Sequence, residues 1–382
     1  MTLTRLSDAL TPSCASPGNL PPLPVIDWSK IGATTPKHID LGKPGKDTPL
    51  PKADIVVMTW TATEWNALDH VFVSSDSEAH VTSHSFRSGW YWRSNDKYIK
   101  GAYYLWGFYR MVEITNAAGE ALRVLLWKSD AHLAHPPWAG GLMQMVREVI
   151  NEADPQRVYT IGTAGGATVN EKLGDTAITN AGTIRIKKPE NKDADLNDKS
   201  VACTSWFPAM DLNDKLQDNL LFKLSNVVTD EYLEYLLCKA IHDPKDGNTD
   251  WAGHYTVADF KNAAIEGLNA PKGLNKKDVP LLTTDYYFIS DGTDTDQYSA
   301  LEMDDSVIGY VAGEMGRDYV FVRNISDPIV PTKTQSGGDI PTALREAWSG
   351  QIYQHYGFYS SMNGALLTWG TIAADKDLKA RS

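Results

Sequence analysis

At 382 residues, the chain exceeds the usual length of one domain, and 42% hydrophobic with 22% charged residues is enough for a substantial core and excludes disorder over the whole length. Thirty-six Lys and Arg against 48 Asp and Glu leave a net charge of −12 at pH 7 with no long basic run, which excludes a nucleic-acid-backbone or anionic-membrane binder. The three cysteines, Cys14, Cys203 and Cys238, are odd in number, widely spaced and without a CxxC pair, so neither a disulfide framework nor a cysteine zinc site is expected. No window of about 18 apolar residues occurs, and Met1 to Leu20 lacks a basic start followed by an apolar stretch, so the expectation is a soluble, cytoplasmic protein of a reducing compartment. Twelve Trp and 17 Tyr cluster between Gly89 and Tyr109 and near the C-terminus, where core and interface packing explains them better than a ligand cage does.

Residues 1–52 carry eight prolines between Pro17 and Pro51 and read as an irregular leader, either an arm onto a neighbouring subunit or a loose tail. Only Leu23 to Trp28 has an apolar stretch able to pack. Order begins at Ala53. Asp54 to Thr59 is a continuous apolar run that predicts a strand buried on both faces, and Ala62 to Val71 has helical spacing, with Thr61 or Thr63 as its cap. Residues 74–120 suggest hairpins. Leu122 to Trp127 predicts a strand, Gly140 to Ile150 a helix, and Val158 to Ile161 a strand running into a glycine-rich turn, Gly162 to Gly166. Gly174 to Thr179 predicts another strand. The charged stretch 187–280 reads as a largely helical insertion, with helices over 214–241 and 257–267. Strands return over 281–290 and 319–325 with a helix over 304–315 between them, and a final helix is expected to break near Gly357. Strands alternating with helices predict a mainly parallel, mixed central sheet covered on both faces, a three-layer α/β/α domain over residues 53–382. In such sheets ligands lie at the carboxyl ends of strands.

Three segments with chemical potential fall at such ends. Gly162-Thr-Ala-Gly-Gly166 lets the backbone approach a ligand, although such turns are common for geometric reasons alone, and it is neither a dinucleotide nor a phosphate-loop fingerprint. Leu301-Glu-Met-Asp-Asp305 opens a helix, where acids answer the macrodipole or hold a sugar diol. Asp327, at the end of a buried strand before Pro328, is either a turn former or a carboxyl raised in pKa by an apolar mouth and able to act as a general acid.

Taken in order, Gly162-Thr-Ala-Gly-Gly166, Leu173-Gly-Asp175, Glu302-Met303-Asp304 and Arg323-Asn-Ile-Ser-Asp327 resemble the nucleoside phosphorylase superfamily, in particular its nucleosidase branch. That branch holds methylthioadenosine/S-adenosylhomocysteine nucleosidase, AMP nucleosidase and defence-associated ATP nucleosidase-like proteins. The match covers roughly residues 53–186 and 281–370.

The resemblance implies cleavage of an N-ribosidic bond and release of a free purine. It implies Asp327 as the acid protonating the departing base, with Ser326 orienting it. Glu302, Met303 and Asp304 would hold the ribose, although Asp304 is one methylene shorter than the usual Glu. Thr163 and Gly165 would line the site near the nucleophile. The phosphate-binding arginines of the hexameric phosphorylases are absent: the first loop reads Thr59-Trp-Thr-Ala-Thr-Glu64, and Thr160 stands at the second position. Glu64 resembles the nucleosidase acid that positions and deprotonates water, though a first-turn acid needs no such role. Hydrolysis is therefore expected, with phosphorolysis or a catalytically inactive nucleotide sensor as alternatives. No cofactor, metal, nucleic acid or membrane partner is implied, and relatives assemble as homo-oligomers, dimers or hexamers. AMP or ATP as substrate would need cations, and Arg87, Arg93, Lys97, Lys100, Arg110 and Lys128 are available, although a surface scatter explains them equally well. Trp60, Tyr286, Tyr287 or Phe288 could stack the base, with core packing the simpler role for each. His132 and His135 form a His-x-x-His pair, too few ligands for a metal, and are candidates to line the pocket.

Overall fold

A computed structural model describes residues 14–73, 89–94, 105–242, 251–287 and 289–381. The strands are β1 (Lys37–Ile39), β2 (Ile55–Thr59), β3 (Tyr91–Ser94), β4 (Leu105–Thr115), β5 (Ala121–Ser129), β6 (Arg157–Gly165), β7 (Thr176–Thr179), β8 (Ala181–Arg185), β9 (Ser200–Ala202), β10 (Gly273–Asn275), β11 (Leu281–Thr284), β12 (Leu301–Glu302) and β13 (Asp318–Asp327). The helices are α1 (Ala62–Phe72), α2 (Trp138–Ala153), α3 (Pro189–Lys192), α4 (Asn213–Asn219), α5 (Asp230–Ile241), α6 (Val257–Phe260), α7 (Asp305–Glu314) and α8 (Thr342–Ala373).

All of these strands belong to one mixed sheet, ordered β1-β4-β5-β2-β6-β12-β11-β8-β9, with β13 branching onto β6 and β7. Its centre is parallel: β2 lies parallel to β5 and β6, and β6 parallel to β13. Along β2, Ile55 and Val57 face one core while Val56 and Met58 face the other, because successive strand side chains point to opposite faces. On the first face lie α1, α5 and α8, and on the second α2 and α7. This is the expected three-layer arrangement. Among the described residues no helix is long and apolar enough to cross a membrane.

The local signals read from sequence settle where the first site loop begins. Thr61 caps α1 by accepting from the Glu64 amide, and the Glu64 carboxylate returns the bond to the Thr61 amide. Elsewhere tertiary packing decides. The strand at 157–165 continues through Gly162 to Gly165, so the expected turn is the end of a strand paired with β13 and touched by β12. The stretch 187–280 carries α3 to α6 and is also tied into the sheet: β9 pairs with β8 and β10 with β7, and the helix expected over 257–267 ends at Phe260. The strand expected over 281–290 ends at Thr284, and α8 runs unbroken through Gly357. Part of the expected 74–120 hairpins lies outside the described residues; within the rest β3 pairs antiparallel with β4, and β4 pairs antiparallel with β5 beyond it.

Along its described part the leader packs on its own chain. Trp28 packs on Trp369 with ring centroids 4.5 Å apart, the Pro24 carbonyl lies 2.9 Å from His70 Nε2, and Tyr359 donates to the Pro21 carbonyl. Cys14 forms a disulfide with Cys238 of α5, 224 positions away, which corrects the expectation of unpaired cysteines. The thiol count checks it. Denatured without reductant, the chain should take up one alkyl group, at the buried Cys203, and three after reduction.

Deep in α8, the Asn363 amide bonds both the amide and the carbonyl of Phe222, and the Gly174 carbonyl. Asn363→Leu strands those buried backbone groups, and urea denaturation should record a loss of about 2–4 kcal/mol.

Candidate active site

At the carboxyl ends of β2, β6 and β13 a cavity of about 300 Å³ opens, within the usual range for small-ligand sites. Glu64, Thr163, Gly165, Glu302, Met303, Asp304 and Asp327 all line it, together with Trp60, Tyr286, Tyr287, Tyr353, His132 and Arg323. Of the residues expected from sequence, Ser326 stands behind the wall, fully buried, and His135 does not line the cavity although His132 does. Phe288 lies outside the described residues.

Asp327 reaches the cavity through an irregularity. The β13–β6 register shifts between Ile325 and Asp327, an extra residue in one strand that lets consecutive side chains meet. Ser326 Oγ thereby donates to Asp327 Oδ2 at 2.9 Å, and Ser349 Oγ of α8 donates to Oδ1 at 3.4 Å. Tyr287 in turn donates to Ser349 at 2.8 Å. Burial pushes the Asp327 carboxyl up to about 7, with the two serine hydroxyls opposing. The acid is thus poised to hold a proton near neutrality and to give it up.

Across the cavity, carboxylates surround one guanidinium. Arg323 Nε donates to Asp305 at 2.6 Å and Nη2 donates to the same carboxylate, while Nη1 reaches the Thr163 carbonyl at 3.2 Å. Glu302 lies 3.3 Å from Nη2. Its Oε2 accepts from the amides of Asp304 and Asp305 at 2.6 and 2.9 Å, and its Oε1 accepts from Thr283. Burial, with Asp305 adding to it, raises the Glu302 carboxyl to about 7 against the pull of Arg323. Asp304 is raised well above its ordinary value by burial and by Glu302. Burial lowers the affinity of Arg323 for its proton, but the acids outweigh it and the guanidinium stays charged.

Glu64 accepts five hydrogen bonds: from Thr59 Oγ1, the Trp60 and Thr61 amides, and the amide and hydroxyl of Thr163. Burial would raise its carboxyl, yet Arg323 and these donors hold it below the ordinary range. The helix-capping and site readings of Glu64 therefore coexist: Oε2 closes the capping box while Oε1 faces Thr163. Three of the donors are fixed amides and two are hydroxyls, which can rotate away.

Of the cations suggested for a polyphosphate, the three among the described residues do not serve this cavity. Arg93 pairs with Glu148 and Glu152, Arg110 donates to His38, and Lys128 pairs with Asp130. None of the three lines the cavity. Arg87, Lys97 and Lys100 lie outside the described residues. Sequence reasoning missed Arg323 as a site residue although its motif was in view, and it missed Ser349, whose contact with Asp327 arises only from α8 packing on β13.

The close packing under the site depends on Gly162. A β-carbon there would come within 2.2 Å of Arg323 Nη1 and 2.8 Å of Glu64 Oε1. Gly162→Ala should lower stability by about 1–3 kcal/mol in thermal denaturation, because both contacted groups are pinned by other bonds.

No family model matches the chain, and no curated protein matches it. Among solved structures, it is similar to futalosine hydrolase of Helicobacter pylori at 12% identity, over 83% of this chain and 96% of that one, with a TM-score of 0.43. It is similar to 5′-methylthioadenosine/S-adenosylhomocysteine nucleosidase of Neisseria meningitidis at 11% identity, over 84% and 98% of the two chains, with a TM-score of 0.42. The nucleosidase of the same description from Colwellia psychrerythraea gives 13% identity, 87% and 99% coverage, and a TM-score of 0.41.

Proposed function

We propose that the chain is a purine N-ribosyl hydrolase, which releases the free base and leaves ribose with a hydroxyl at C1′. The observation that carries this reading is the two-sided cavity: Asp327, able to hold a proton near neutrality, faces a wall of acids held by Arg323. Breaking an N-ribosidic bond makes the base a better leaving group when it gains a proton and makes the sugar cation-like, and this pair of charges answers both demands. The logic is that of glycoside hydrolysis.

In this reading Asp327 gives its proton to the purine ring nitrogen, while Ser326 and Ser349 receive the resulting carboxylate as hydrogen-bond donors. Glu302, Met303 and Asp304 face the sugar. Water adds to C1′, and its lost proton passes to Glu64 once the Thr163 hydroxyl turns aside. A weak base suffices there, because water bound to a cation-like carbon is itself strongly acidic. Trp60, Tyr286 and Tyr287 supply aromatic surface for the base.

Phosphate is a poor nucleophile for this site. The Arg323 guanidinium is held bidentately by Asp305 and flanked by Glu302, so no free fork remains for a dianion. The same charge balance disfavours a nucleotide whose phosphates would lie near the acids, which supports a nucleoside substrate over AMP or ATP. Assembly as a homo-oligomer remains part of the proposal only through the family resemblance.

The test is a panel of adenosine, guanosine, methylthioadenosine, AMP and ATP, each with and without phosphate, read by chromatography of the base. Release from a nucleoside at a rate independent of phosphate is the expected result. Phosphate dependence, with ribose 1-phosphate as product, would instead establish a phosphorylase. Asp327→Asn should lower base release by about 10²–10⁴-fold while nucleoside binding persists. Because only protonated Asp327 can donate, kcat/KM should fall roughly tenfold per pH unit above about 7.

A further inference from the structure

The His-x-x-His segment finds no task in this chemistry, yet its first histidine, His132, lines the cavity. His132 is packed beneath the surface with its ring against His135, centroids 4.7 Å apart and planes 28° from parallel. Its Nδ1 accepts from the Ala134 amide at 2.9 Å, so in the neutral ring the proton sits on Nε2. Nε2 faces Asp304 Oδ2 at 3.2 Å. The other oxygen of that carboxylate, Oδ1, accepts from the Leu133 amide at 2.8 Å.

Two residues of one loop thus act on a single acid, and the loop is itself fixed. Asn191 of α3 donates to the Leu133 carbonyl at 2.9 Å and accepts from the Ala139 amide, while Lys188 donates to the Ala134 carbonyl. Both ring nitrogens of His132 are engaged by protein partners, which leaves it no lone pair for a metal or for substrate. Burial lowers its pKa to about 3, with His135 adding to the effect, so it serves as a neutral donor at physiological pH.

The geometry points to His132 as a positioning residue that sets ribose recognition, holding the short Asp304 side chain so that its remaining lone pairs meet a sugar hydroxyl. This rests on the nucleosidase reading above. A shorter acid on a helix N-cap cannot follow a ligand as a longer one can, so its aim must come from its neighbours. Two donors from a pinned loop supply that aim and favour the charged carboxylate against the cost of burial.

The test compares the full chain with His132→Gln, which retains a donor near the Nε2 position, and His132→Leu, which does not. Adenosine, 2′-deoxyadenosine and 3′-deoxyadenosine serve as probes, with adenine release and calorimetric binding both measured. His132→Leu should lower kcat/KM for adenosine by about 10- to 100-fold, while the deoxy analogue lacking the gripped hydroxyl changes little. His132→Gln should restore most of the difference. An equal fall on all three nucleosides, no fall at all, or a Gln variant as impaired as Leu would overturn the assignment. If wild-type protein binds but releases no adenine, the hydrolase reading fails, and the same pattern read in binding affinities still supports the grip. If neither adenosine nor its analogues bind, both ideas fall.

Discussion

A buried positive charge governs this architecture. Arg323 sits on the central strand β13 with almost none of its side chain exposed, and an unpaired guanidinium there would be prohibitively costly. Asp305 meets it from the first turn of α7, Glu302 from the end of β12, and the Thr163 carbonyl from β6. Glu64 of α1 adds its field from the fourth side. Four separate segments are therefore tied to one ion. The framework of the cavity is thus set by electrostatic closure as much as by apolar packing.

That closure also explains how neighbouring acids come to behave differently. Glu64, ringed by donors and near Arg323, remains charged. Asp327, only a few residues along β13 from the same arginine, has just two hydroxyls to offset its burial and retains a proton near neutrality. One strand thus carries both the group that keeps one carboxylate ionised and the carboxyl that escapes its influence. Pairs of acids whose surroundings drive them apart are the usual basis of acid–base chemistry in a single pocket.

Much of this was legible in the chain. The apolar runs over β2, β5 and β13, the Thr61–Glu64 capping box and the acids before α7 are signals carried by a few adjacent residues, and each marks an element end at the cavity. What was hidden depends on distance along the polymer. The pairing of Cys14 with Cys238, the burial of Trp28 on Trp369, and the short strands β9 and β10 within a charged stretch are all fixed by remote partners. Gly357 reads as a breaker, but in α8 it lies against Tyr353 and Thr63, and packing on both sides keeps the helix whole. The strand through Gly162 is a similar case, since its glycines answer the width of Arg323 and Glu64 rather than the curvature of a turn. His132 could be suspected of lining the pocket, but its bond to Asp304 spans 172 positions and has no local signature.

The leader's attachment has a bearing on how the protein is made. Its tryptophan rests against the closing third of α8, and its prolines lie over α1 and the middle of that same helix. The α8 partners are made more than 300 positions after the leader. Trp28 and Pro21 must therefore wait for α8 before they can settle, and contacts of such long range are slow to form. A stretch rich in proline and poor in strand-forming runs suits that interval, since it offers little for another nascent chain to pair with.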